Sequence, residues 1–323
     1  MTPLLSVNNL SVHFFTGNGV IKAVDQISYE LNAGETLGIV GESGCGKSVS
    51  ALSLLRLIPN PPGKIVGGEI LFEGRDLLEA NKKALCGIRG NEIAMIFQEP
   101  ITSLNPVQRI GHQVREPLLV HQKMKKKQAT GKAINALKKV RIPDSENRIQ
   151  DFPHQFSGGM CQRAMIAMGL TCAPKLIIAD EPTTALDVTI QAQLLSLMKQ
   201  LTRESGTALI IITHNLGIIA RYADRVNVMY AGRIVEKAAA KELYKHPKHP
   251  YTIGLMASVP HLNQDAGDRL TPIDGQPPDL ADLPAGCSFA PRCRFAIEKC
   301  RLKAPMLRPV FDGHEIACWV DVE

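Results

Sequence analysis

Gly41-Glu42-Ser43-Gly44-Cys45-Gly46-Lys47-Ser48 is a glycine-rich stretch that ends on a cation and a hydroxyl. Before it, Thr36 to Val40 is a short apolar run; after it, Lys47 to Leu57 reads as a helix with Val49 in its first turn. The order is strand, glycine loop, helix, and the stretch satisfies GxxxxGK[ST] in full. Glycines let backbone N–H groups converge on phosphate oxygens, and the helix N-terminus adds its positive end. In such a loop Lys47 neutralises the β and γ phosphates of a nucleotide and the Ser48 hydroxyl ligates Mg²⁺. Gly41 through Val49 is therefore the expected phosphate cradle.

Two further segments have the composition to work with that loop. Leu176-Ile177-Ile178-Ala179-Asp180-Glu181 is an apolar strand ending in two carboxylates. Successive strand residues face opposite ways, so the two acids can do different work. Asp180 is expected in the Mg²⁺ shell and Glu181 as the group that polarises the attacking water. Upstream, Ser157-Gly158-Gly159 opens the helix-like stretch Met160 to Leu170, a second helix start suited to an anion. One chain needs two such sites for one triphosphate only if they serve different copies.

Working outward, Leu4 to Phe15 and Ile21 to Leu31 alternate in polarity around the turn-prone Thr16-Gly17-Asn18-Gly19, which predicts an antiparallel hairpin. Ile70 to Phe72 and Ile93 to Phe97 read as strands. From Ile101 to Gln155 helix formers take over, with Ile134, Leu137 and Val140 at helical spacing among lysines. The run Lys123, Lys125, Lys126, Lys127 reads as a solvated face. Strand character returns at Leu176 to Ala179 and Leu209 to Thr213, each after a helix, and this alternation predicts a parallel sheet covered by helices. Val226 to Tyr230 and Arg233 to Val235 flank Ala231-Gly232 as a second hairpin, and beyond Lys241 a proline-rich tail begins.

Of the 323 residues, 45% are apolar and 21% charged, which fits a globular chain rather than a disordered one. The net charge of +6 selects no partner class, and nucleic acid is not expected. No apolar run reaches the ~18 residues that span a bilayer, and Met1 to Leu10 does not read as a secretory signal. The compartment expected is the cytosol, with membrane contact through a partner.

The segment Phe156-Ser157-Gly158-Gly159-Met160 resembles the signature of ABC ATPases. In that family the signature of one subunit closes over nucleotide held by the phosphate loop of another. The resemblance runs on in the family's order through Gln98, matching the glutamine that senses Mg²⁺ and couples to membrane subunits. It continues with Thr184-Ala185-Leu186-Asp187, matching the loop at the dimer interface, and His214, matching the switch histidine on the γ phosphate. Phe14 resembles the aromatic residue that stacks on adenine, with His13 and Phe15 as alternatives. Met160, Phe156 and Cys161 depart from the commonest signature residues, the first two in the manner of peptide importers.

Gln98-Glu99-Pro100-Ile101-Thr102-Ser103-Leu104-Asn105-Pro106, His249-Pro250-Tyr251-Thr252 and Gly286-Cys287-Ser288-Phe289-Ala290-Pro291-Arg292-Cys293 resemble the peptide and nickel importer branch, closest to its dipeptide type. The resemblance implies an α/β fold. A RecA-like parallel core with an antiparallel β subdomain and a helical subdomain (about 101–165) would occupy residues 1–240. A cysteine-bearing extension would fill 241–323. It also implies ATP and Mg²⁺, a second related ATPase, two membrane permeases and an external substrate-binding protein, which is periplasmic or lipid-anchored. The chain would work at the cytoplasmic face of the membrane in uptake of dipeptides or oligopeptides; nickel or another small solute is the alternative cargo. A non-transport ABC ATPase of the translation type usually carries two cassettes, and one of the repair type a long coiled coil. This chain has neither.

Four of the eight cysteines crowd the tail as Cys287, Cys293, Cys300 and Cys318, spaced C-x5-C-x6-C-x17-C. The wide intervals suit a [4Fe–4S] cluster before Zn²⁺, with free thiols or a disulfide after both. A metal centre as the staple of a tail poor in periodic apolar residues is the expectation.

Overall fold

The computed structural model describes residues 2–17, 19–183, 187–258 and 273–322. The chain opens with β1 (Leu5–Thr16), β2 (Gly19–Leu31), β3 (Thr36–Val40), α1 (Lys47–Leu54), β4 (Gly63–Phe72) and β5 (Arg75–Asp76). Its middle holds α2 (Lys82–Ile88), β6 (Ile93–Ile96), α3 (Pro100–Ser103), α4 (Ile110–His121), α5 (Lys126–Lys139), α6 (Ser145–Arg148), α7 (Gly158–Leu170), β7 (Leu176–Asp180), α8 (Val188–Ser205) and β8 (Ala208–Thr213). It closes with α9 (Leu216–Tyr222), β9 (Arg225–Tyr230), β10 (Arg233–Ala239), α10 (Ala240–Lys245), α11 (Pro250–Ala257), α12 (Glu298–Leu302), β11 (Arg308–Phe311) and β12 (His314–Ile316).

Packing divides these elements into two compact units. The first comprises Met1–Leu31, Leu37–Leu78 and Thr213–Glu323; the second comprises Asn32–Thr36 and Glu79–Ile212.

In the first unit, β1 pairs antiparallel with β2 and with β4, giving a sheet in the order β2-β1-β4-β5. The alternation read from the sequence is real: Leu5, Val7, Leu10 and Val12 are fully buried, and register shifts after Val7 and Leu10 keep them on the core side. A second sheet segment runs β11-β12-β10-β9-β3. Its strand β3 lies parallel to β9, with Val40 opposite Val228, and is buried along its whole length, as a parallel strand covered on both faces must be.

The second unit holds the parallel strands β8, β7 and β6 in that order, built mostly from isoleucine, leucine and alanine. Helix α7 packs against β6, and α4 and α5 pack on α7 and on each other around Leu118, Ala129 and Cys172. On α5 the buried stripe is Ala129, Ala133 and Leu137, spaced four apart. Of the residues expected to form it, Leu137 and Val140 are buried and Ile134 is only half-buried. Lys123, Lys125, Lys126 and Lys127 are exposed, as a solvated face requires.

The proline-rich tail is integrated with the first unit. Strand β12 adds to β10, pairing Glu236 with Ile316. Glu236, fully buried, accepts from the N–H groups of Lys248 (2.8 Å) and His249 (3.0 Å) and lies 2.7 Å from His314 Nε2. His249 then caps α11, its Nδ1 accepting from the Tyr251 N–H at 3.1 Å. Burial lowers the His249 imidazole from 6.5 to about 4, against the opposing pull of Glu236.

Because the folded state holds His249 neutral where the unfolded chain protonates it, stability falls as pH drops from about 6.5 toward about 4. The loss at the acid end is on the order of 2–3 kcal/mol. His249→Asn retains a capping acceptor but cannot charge. Urea unfolding at pH 7.5 and 4.5 is expected to show a smaller acid loss for the variant; equal losses for both proteins would remove His249 as the cause.

Candidate functional site

The first unit carries the phosphate loop, and two carbonyl groups dictate its glycines. A side-chain carbon on Gly41 would lie 2.2 Å from Met229 O, and one on Gly46 would lie 2.1 Å from Ala23 O. Gly46 also has a φ of 101°, where other residues are strained, and it caps α1 at its N-terminus. No acidic residue occupies the first turn of α1, so its positive end is unopposed there. Ser43 and Gly44 are exposed at the loop's tip, while Cys45 and Lys47 are buried and Glu42, Ser48 and Val49 half-buried. Lys47 Nζ donates to Gly41 O (2.8 Å) and Glu42 O (2.9 Å), which are dipoles rather than a full countercharge. Burial raises the Cys45 thiol although Lys47 stands beside it.

His214, also in this unit, is exposed just beyond β8, and its neighbour Asn215 caps α9 by accepting from the Ile218 N–H at 3.4 Å. Phe14 sits on β1 opposite Ile21 and Gly63, and its ring edge is 2.9 Å from where a side chain on Gly63 would begin. His13 and Phe15 turn to the other face with rings 6.4 Å apart; Phe15, 51% exposed, offers the most open ring of the three.

The second unit carries the carboxylates. Asp180 ends β7 and is 6% exposed. Glu181 follows with a left-handed φ of 44°, a conformation that costs a non-glycine residue about 1 kcal/mol and concentrates at functional positions. Its N–H donates to Ile212 O at 2.9 Å, and its Oε2 accepts from Gln98 Nε2 at 3.0 Å. The two expected catalytic groups of this unit thus meet across 83 positions of sequence. Ser157 caps α7, its hydroxyl accepting from the Met160 N–H at 3.3 Å, with Gly158 and Gly159 as the first helical residues. The departure at Cys161 is a packing choice: its side chain is 1% exposed and its thiol bonds Pro153 O at 3.5 Å. Asp187 caps α8 by accepting from the Ile190 N–H at 2.9 Å; Thr184, Ala185 and Leu186 lie outside the described residues.

The expected metal centre in the tail is corrected. Cys287, Cys293, Cys300 and Cys318 are free and line one small pocket with Phe289, Phe295 and Trp319. Yet among the described residues no group of three or more His, Cys, Asp or Glu side chains is placed to hold a metal ion. Burial raises the thiols of Cys287 and Cys293 and pushes Cys318 up to about 11, so they stay protonated. A protonated, buried cysteine behaves as a small apolar side chain; Cys300 and Cys318 are buried and Cys287 and Cys293 half-buried.

Sequence reading missed three residues on the phosphate loop. Arg292 grips the Glu42 carboxylate, Tyr251 Oη accepts from the Glu42 N–H, and Tyr230 lies beside both. Tyr251 and Arg292 stood out only as marks of a branch, because nothing local in sequence connects them to residue 42.

Residues 24–184 match the family described as "ABC transporter", and residues 235–300 the one described as "Oligopeptide/dipeptide transporter, C-terminal region". The chain is 52% identical to "Probable peptide ABC transporter ATP-binding protein y4tR" of Sinorhizobium fredii, over 98% of this chain and 94% of that one. It is 50% identical to dipeptide transport ATP-binding protein DppD of Bacillus subtilis, over 99% and 95%. It is 49% identical to oligopeptide transport ATP-binding protein OppD of Haemophilus influenzae, over 100% and 99%. Among solved structures, the dimeric ATP-binding cassette MJ0796 in a post-hydrolysis state bound to ADP and Pi is similar with a TM-score of 0.66 and 26% identity, over 73% of this chain and 98% of that one. Phosphate loop, carboxylate-ended strand and near-full-length identity to these relatives agree: the chain belongs to the oligopeptide/dipeptide family of ABC transporter ATP-binding proteins, as an ATPase subunit coupled to peptide transport.

Proposed function

We propose that this chain hydrolyses MgATP at sites shared with a second, related ATPase subunit, and that hydrolysis drives peptide uptake from the cytoplasmic face of the membrane. Lys47 and the loop N–H groups bind the β and γ phosphates, and an aromatic ring on β1, Phe14 or its neighbour Phe15, stacks on the base. Mg²⁺, when bound, supplies charge neutralisation between the phosphates, with Ser48, Asp180 and Gln98 as its protein partners. Glu181 takes the proton of the attacking water, and His214 stabilises charge on the γ phosphate. Ser157, Gly158 and Gly159 close over nucleotide held by the partner chain, with Asp187 at the same interface.

Support comes above all from the Gln98–Glu181 contact at 3.0 Å. A neutral amide aims the carboxylate without adding a countercharge, so the position of Glu181 answers to the segment that bears Gln98. The two-chain site is supported by the single phosphate loop and single Ser157-Gly158-Gly159 signature in each chain. No helix among the described residues is long and apolar enough to cross a membrane. In this reading two permease subunits form the path, and an external binding protein delivers cargo to them.

Glu181→Gln is expected to retain ATP binding and slow turnover about 10²–10⁴-fold, the usual worth of a positioned base. Single-turnover hydrolysis within twofold of wild type would rule it out as that base. Lys47→Ala, which removes the cation facing the phosphates, is expected to weaken ATP affinity at least about tenfold by calorimetry; unchanged affinity would sink the phosphate-loop assignment. ATPase activity of the isolated chain is expected to be low and to rise when the related ATPase and permeases are added. Full activity from a species that sediments as a monomer under assay conditions would refute shared sites.

A further inference from the structure

The C-terminal extension reaches the phosphate loop, and three hydrogen bonds from it converge on Glu42. Arg292 lies 250 positions from Glu42 in sequence, and its guanidinium forks onto that carboxylate, NH1 to Oε2 at 2.7 Å and NH2 to Oε1 at 3.0 Å. The arginine side chain is 5% exposed. It is itself held at both ends: Nε donates to Asp274 O at 3.0 Å, and NH1 reaches Tyr230 Oη at 3.4 Å. The bonds to Glu42 hold the guanidinium above its usual pKa, so the charge is permanent. A buried, two-point arginine–carboxylate pair is both strong and directional.

A second contact binds the backbone of the same residue. Tyr251 is fully buried in the first turn of α11, and its hydroxyl accepts from the Glu42 N–H at 2.8 Å. The ring cannot swing away, because it packs on Tyr230 and Phe289 with centroids 4.6 and 5.4 Å distant. Lys47 Nζ donates to the carbonyl of that same peptide, Gly41 O, at 2.8 Å and to the next one, Glu42 O, at 2.9 Å. The Glu42 residue is thus held through its side chain and its N–H by the extension, and through its carbonyl by the lysine that faces phosphate.

We propose that the extension sets the conformation of the phosphate loop, with Arg292 and Tyr251 as positioning residues that act through Glu42 on Lys47. This rests on the assignment of that loop to ATP. With the tie in place, the Glu42 peptide is fixed before nucleotide arrives, and Lys47 is presented from a defined pair of carbonyls. Without it, the peptide can rotate, and part of the binding free energy goes to reordering the loop.

The test uses the full-length chain, with hydrogen exchange by mass spectrometry and ATP titration by calorimetry. In Arg292→Ala, exchange is expected to quicken in the peptide covering residues 41–48 while the buried strands keep their protection. ATP affinity is expected to fall about tenfold, the scale of a lost charge-assisted pair. Arg292→Lys keeps the charge without the fork and is expected to lose less. Tyr251→Phe, which leaves the Glu42 N–H without its acceptor, is expected to loosen the same peptide alone. Should Arg292→Ala fail to fold, the latter two variants decide the matter by the same readouts. Unchanged loop exchange and ATP affinity in the folded variants would overturn the proposal. So would exchange that rises evenly through Met1–Leu31, Leu37–Leu78 and Thr213–Glu323, since the pair would then be general tail stability. A wild-type chain that binds no ATP would instead defeat the proposed function, and the exchange comparison would still decide whether the extension holds the loop.

Discussion

The Met229 carbonyl at the end of β9 and the Ala23 carbonyl of β2 approach the phosphate loop so closely that residues 41 and 46 can carry no side chain. Everything distinctive about the first unit follows from that approach. Strand β3 delivers the chain beside β9, the loop folds over against both carbonyls, and α1 starts with its N–H groups turned toward the loop's interior. Lys47 is then buried at 4% exposure, with two carbonyl oxygens and a thiol within hydrogen-bond reach. Under the proposed function, a cation in that setting is better solvated by an incoming polyphosphate than by carbonyl dipoles alone.

The tail explains how a proline-rich segment with little periodicity holds a single conformation. It borrows structure rather than building its own layer. Strand β12 completes hydrogen bonds that β10 would otherwise leave at an edge, and Glu236 gathers two backbone N–H groups and a histidine ring. Tyr251, Tyr230 and Phe289 then form an aromatic floor under the loop. A staple at the cysteines is unnecessary under these conditions, and their side chains line a small pocket with Phe289, Phe295 and Trp319.

In the second unit the same side chains serve structure and chemistry together. Ser157 and Asp187 each cap a helix, so the residues proposed to face a partner chain are held in place by their capping bonds beforehand. Glu181 has left the strand for a left-handed turn, which turns its carboxylate toward Gln98 rather than continuing the alternation of β7.

Much of this was legible in the amino-acid order alone, because it depends on neighbours in sequence. The strand–loop–helix around Lys47, the apolar run ending at Asp180, the serine cap at Ser157 and the hairpin through Gly17 are all local patterns. Each is set by backbone sterics and by residues within a few positions. What only the tertiary structure decided involves partners far apart in the chain. Arg292 on Glu42, Gln98 on Glu181 and Glu236 beneath His249 and His314 depend on which surfaces meet after folding. The four tail cysteines make the same point from the opposite side: their spacing suggested a metal centre. Whether thiols ligate or simply pack depends on how their side chains are aimed and how much water is excluded around them, and spacing encodes neither.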